Sequence, residues 1–168
     1  MATRLREAKR PVTRLAGPYG HPFHPILVTV PIGAWVASFV FDLASCLSDE
    51  PTVFAKGAFW LIGLGLLGAA AAALVGFLDL FAIPTGTRAF RTGLLHMSLN
   101  LIVVALYIGA FLLRRGRLEQ PGGVQTGLIV LSAVALGLLT VSGWLGGQLA
   151  YRYGVRVADE TAQVEAYQ

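Results

Sequence analysis

Charge is scarce in this chain. Asp, Glu, Lys and Arg together make up 13% of its 168 residues, against about 25% in a typical soluble domain. That is too little to coat a surface facing water. With 55% hydrophobic residues and a mean hydropathy of +0.67, the expected solvent is lipid. Cysteine is nearly missing as well. Cys46 stands alone, which excludes an internal disulfide and any cysteine-rich metal cluster. The stretch Leu43-Ala44-Ser45-Cys46 looks like a lipoprotein cleavage box, yet Asp42 interrupts the apolar region and three more apolar runs follow. Cys46 therefore reads as a small apolar residue at a helix end. No cleavable signal peptide is expected, because the first apolar run has about 22 residues, long enough to span a bilayer. The basic excess, 13 Lys and Arg against 9 acids, is scattered through tails and loops. It suits membrane topology and anionic lipid rather than nucleic acid.

Turn residues punctuate the apolar runs. A basic tail, residues 1–20, precedes a membrane domain at 21–157, and a polar tail closes the chain at 158–168. Spans are expected at 26–47, 56–83, 93–113 and 124–150, separated by Ser48-Asp49-Glu50-Pro51, Pro84-Thr85-Gly86 and the stretch from Arg114 to Gly123. The fold class is all-α: a four-helix transmembrane bundle, up-down-up-down, with both termini on one side. That side holds nine basic residues: Arg4, Arg6, Lys9, Arg10, Arg14, Arg88, Arg91, Arg152 and Arg156. The other holds four: Lys56, Arg114, Arg115 and Arg117. Basic residues near span ends mark the cytoplasmic face, so the expected location is a bacterial inner membrane with cytoplasmic termini. Small residues recur four apart in the second run (Gly68, Ala72, Gly76) and the fourth (Ala133, Gly137; Gly143, Gly147). This spacing lets helix backbones approach closely, within the bundle or in a homodimer. No repeat relating the two halves is evident.

Ionisable groups inside spans are costly and mark candidate sites. Three stand out: Asp42, Asp79 and His96. His96 lies five residues beyond Arg91, and Asp79 five before Pro84. Both should sit about 7.5 Å below the same surface. Asn100 shares the face of His96. His21 and His24 stand at the mouth of the first span, each followed by proline, which should hold both extended across the bundle end. Pro25 suits a helix start, and Pro31 should kink the first helix.

Imidazole ligates haem iron, zinc and copper and relays protons. His24 and His96 are thus candidate ligands for a b-type haem, with His21, Asp79 and Asn100 beside them. An alternative metal set is His21, His24, His96 and Asp79. The plainest reading is a structural polar cluster, with His96 bonded to Asp79 or to a backbone carbonyl. Asp42 lies 17 residues past Pro25, about 25 Å along the helix and near the opposite face. Arg114, Arg115 or the Tyr107 hydroxyl is its expected partner. Trp35, Trp60 and Trp144 read as packing or interface anchors. No serine triad or phosphate loop is present, and no catalytic residue is nominated.

The order His21-Pro22-Phe23-His24-Pro25, Pro31-Ile32-Gly33, Gly76-Phe77-Leu78-Asp79, His96-Met97-Ser98-Leu99-Asn100 and Gly146-Gly147-Gln148-Leu149-Ala150-Tyr151 with Gly154 resembles a bacterial family of four-span membrane proteins, domain of unknown function 2231. The resemblance covers roughly residues 20 to 157. It implies an architecture and no settled activity. Some relatives resemble fusions to Rieske iron–sulfur domains, which suggests a redox setting; with one cysteine, this chain holds no such centre itself. The leading expectation is a small redox-linked component using haem b or quinone, with a redox partner protein. The alternatives are a structural or accessory subunit, and a proton-coupled transporter through Asp79 and His96.

Overall fold

The computed structural model describes residues 2–118 and 120–168, and among these the regular structure is entirely helical. A short helix α1 (Ala2–Lys9) precedes α2 (His24–Leu27), α3 (Thr29–Leu47), α4 (Pro51–Phe81), α5 (Arg88–Arg115), α6 (Thr126–Gly147) and α7 (Glu160–Val164). Four stretches are long and apolar enough to cross a membrane: His24–Leu47, Pro51–Phe81, Arg88–Arg115 and Thr126–Arg152. The second and third begin five residues before the apolar runs do. Pro51 fits the first turn because its missing N–H needs no partner there. Thr87 caps α5 by accepting from Phe90 N at 3.1 Å. Caps start helices in polar sequence, which hydropathy does not register. The fourth stretch ends in a single π-helical turn, Gln148–Arg152.

The first stretch is broken at Val28, between α2 and α3. Pro31 has no N–H to offer the Leu27 carbonyl and crowds it, so the ladder is interrupted there. The expectation that His24 is extended fails. His24 opens α2, and Phe23 before it is already helical (φ −80°, ψ −28°). Pro25 falls in the first turn, where it is tolerated, and the His24 carbonyl gains a bond from Val28 N at 3.0 Å. His21 remains outside any helix.

α3 packs closely on α4, and α5 on α6, while the two hairpins meet more loosely. The α3–α4 contact rests on glycines. A methyl group at Gly65 would overlap the Trp35 indole, one at Gly68 would touch Val30 and Pro31, and one at Gly76 would strike the His24 ring. The small-residue stripe of the second span is therefore the bed of the first, within one chain.

The two hairpins pack against each other in one register, which the sequence did not reveal. Along the seam between them three pairs meet: the rings of His24 and His96, the stacked rings of Trp35 and Tyr107, and the charges of Asp42 and Arg114. Each pair is separated by 72 residues, so α2–α3 and α5 run the same way in a fixed register. α4 and α6 correspond too. Gly76 lies against His24 and Gly146 against His96, while the Ala72 and Ser142 carbonyls bond those same two rings. At the far end the equivalent residues are opposite charges. Two first hairpins together would put carboxylate against carboxylate, so the pair favours one hairpin of each kind.

Candidate functional site

His24 and His96 come from different hairpins and meet edge to face at the seam, with ring centroids 6.2 Å apart and planes at 88°. Each ring is anchored to its own hairpin. His24 Nδ1 lies 2.9 Å from Ala72 O, and His96 Nδ1 lies 2.8 Å from Ser142 O. A carbonyl only accepts, so Nδ1 carries a proton in both rings, and Nε2 is the nitrogen that a ligand would meet. The Ser142 hydroxyl sits 3.0 Å from His96 Nδ1 and donates to His96 O at 3.2 Å.

Asn100 Nδ2 faces three acceptors: Ser142 Oγ at 2.8 Å, His96 O at 2.9 Å and His96 Nε2 at 3.2 Å. An amide has two protons. The two shorter contacts use both, and Nε2 is the one left over. His24 and His96 thus bring two Nε2 atoms to one junction.

The other predicted members make no hydrogen bond to this pair. The His21 side chain is exposed, with no hydrogen bond among the described residues. Asp79 does not bond His96; it faces Arg156, with Nε 2.7 Å from Oδ1. These two atoms are at ion-pair distance without hydrogen-bond alignment. Among the described residues no three His, Cys, Asp or Glu side chains surround a common point. The set His21, His24, His96 and Asp79 is therefore not assembled as a metal cage.

Arg156 is the residue that the sequence reading missed. Its Nη2 donates to Ala16 O at 2.9 Å and Gly17 O at 3.0 Å, and its backbone N–H donates to Ala8 O at 2.9 Å. One buried arginine joins the N-terminal segment, α4 and the C-terminal segment. Its left-handed backbone (φ 60°) is strained for a non-glycine residue, and the three hydrogen bonds and the Asp79 contact hold it there. The available signal was an arginine just past the fourth span facing a lone intramembrane acid. Arg156→Ala is expected to speed amide hydrogen exchange at 14–20 by at least tenfold while leaving α5 protected. Equal acceleration in both regions would mean global loosening instead.

At the opposite end Asp42 is fully buried. Its Oδ2 takes Arg114 Nη2 at 2.5 Å and the Ser132 hydroxyl at 3.1 Å. Of the partners predicted for Asp42, Arg114 is the one that meets it; Arg115 is exposed. Tyr107 makes no bond to Asp42. Its ring stacks on Trp35 at 4.1 Å and 11°, and its hydroxyl has no partner. Ser132 takes the position assigned to that hydroxyl. Between the two acids lies a dry layer of Trp35, Ile62, Val103, Tyr107 and Ala135.

The family model described as a predicted membrane protein, DUF2231, matches residues 20–159. No curated protein matches the chain, and no solved structure does.

Proposed function

We propose, for a chain that belongs to the DUF2231 family of predicted membrane proteins, that His24 and His96 form a two-imidazole site for a b-type haem in a redox-linked membrane component. The observation that carries this reading is that both Nδ1 atoms are held on main-chain carbonyls, which turns the two Nε2 atoms, one from each hairpin, toward a ligand, with Asn100 Nδ2 3.2 Å from that of His96. A histidine ligand is commonly held this way: the second bond orients the ring and raises the basicity of the ligating nitrogen. The donor count also discriminates. Structural zinc needs four protein ligands and catalytic zinc three, whereas a haem would bring most of its own donors and could be held by His24 and His96 alone. Two imidazoles suit the second case and leave the first unmet.

A bound haem would supply one-electron transfer. The chain's own residues would do the rest: the Ala72 and Ser142 carbonyls would hold the two rings, and Asn100 would give up its longest contact to His96 Nε2. Quinone fits less well, because both Nδ1 protons are already committed and neither ring offers a free N–H. Transport is disfavoured by two arginine-paired acids with a dry layer between them. The excess of basic residues on the side bearing the termini supports a cytoplasmic placement of both ends in a bacterial inner membrane, with a redox protein as electron partner.

The test is the absorption spectrum of the full chain, purified in mild detergent after expression with ample haem. A Soret band is expected, shifted or lost in His24→Ala and in His96→Ala, with helical circular dichroism retained. Colourless wild-type protein, or a band indifferent to both substitutions, would overturn the site and favour a purely structural polar cluster.

A further inference from the structure

A second feature lies at the opposite end of the bundle, remote from the imidazoles. A pocket of about 160 Å³ opens between the start of α4, the end of α5 and the connection leading to α6. Its polar lining is Thr52, Lys56, Arg114, Arg117, Gln120 and Gln125. Among the described residues, none of its lining side chains is acidic. The volume is below the about 300–1,000 Å³ of sites for drug-sized molecules, and it suits one small polar group.

Arg114 forms part of the wall and is only 5% exposed. One of its nitrogens, Nη2, serves Asp42 and Ser132. Nε and Nη1 have no hydrogen-bond partner among the described residues. Unmatched donors on a buried guanidinium are expensive, and an acceptor in the adjoining pocket would relieve that cost. Asp42 neutralises the Arg114 charge. Lys56 and Arg117, both exposed, give the pocket a positive charge that no acid among its described lining residues offsets. Thr52 and the two glutamines add donors that are indifferent to charge.

The geometry points to a binding site for a phosphate group here, with Lys56 and Arg117 supplying charge and Arg114 the buried forked donor. Guanidinium forks match phosphate oxygens in pairs. The pocket lies where four-span packing puts the bilayer interface, so the phosphate belongs either to an anionic lipid headgroup or to a free anion. Basic pockets between spans recognise such headgroups.

The experiment uses the full chain in mild detergent and in lipid discs. Inorganic phosphate is titrated calorimetrically against the detergent-purified protein. Native mass spectra are recorded from phosphatidylglycerol discs and phosphatidylcholine discs. The variant is Lys56→Gln with Arg117→Gln, both exposed positions whose replacement should leave the unfolding midpoint unmoved. Arg114 stays intact because it holds Asp42. One phosphatidylglycerol retained per chain, lost in the double variant, identifies a lipid site. Phosphate binding weakened at least tenfold in the variant, without lipid retention, identifies a free-anion site. Lys56→Arg should preserve either result. The proposal is overturned when neither probe binds, or when binding survives the double substitution undiminished.

Discussion

Replacing Arg114 with methionine should destabilise the bundle by about 3–5 kcal/mol, the cost of leaving one member of a buried ion pair unmatched. Asp42 has no exposure, and its remaining partner, Ser132, brings one hydroxyl and no charge. Asp42→Leu alone should cost a comparable amount by stranding the guanidinium. The double variant Asp42→Leu/Arg114→Met should recover most of the loss, because two apolar side chains of similar volume often replace a buried pair at little cost. The swap Asp42→Arg/Arg114→Asp keeps the charges matched at the same seam, and it should rank above both single variants. Equilibrium unfolding in detergent supplies all four numbers. A double variant no more stable than the singles would show that the seam depends on packing at these positions rather than on the charge match.

The second large effect is expected at a glycine. A methyl group at Gly76 would lie 2.7 Å from His24 Nδ1 and 2.8 Å from Cε1. The imidazole must then leave the Ala72 carbonyl, and the anchored lone pair goes with it. Gly76→Ala should weaken haem binding by about 10–100-fold, the usual effect of losing a ligand's outer hydrogen bond. The equivalent position in the other hairpin is a control. A methyl at Gly146 would sit 3.2 Å from His96 Cε1, a contact that a small ring shift relieves. Gly146→Ala should therefore cost much less. Haem titration of the three proteins, each checked for helicity, makes the comparison. Equal losses at both glycines, or none at Gly76, would contradict the anchoring role of Ala72.

Parts of this arrangement were legible in the chain. Asp42 near one end and Asp79 with His96 near the other follow from helical rise alone, and Arg114 was among the partners named for Asp42. His24 and His96 were paired as ligands because few other ionisable groups interrupt the apolar runs. The errors share one cause. His24 was read as extended from a dipeptide preference, which a single helical hydrogen bond outweighs. Tyr107 was read by its hydroxyl, whereas its ring decides its place against Trp35. His96 was offered Asp79 or a backbone carbonyl, and it is the Ser142 carbonyl that holds it; Asp79 instead meets Arg156, which comes from beyond the last span and reaches back.

Composition and apolar run length determined four helices long and apolar enough to cross a membrane, because a chain this poor in charge has few other ways to cover its surface. Which residues touch was settled by the packing of two similar hairpins. Their fixed register sets imidazole beside imidazole, indole on phenol and carboxylate against guanidinium. That register depends on the shapes of glycine-lined surfaces summed over whole helices, and no local stretch of sequence contains it.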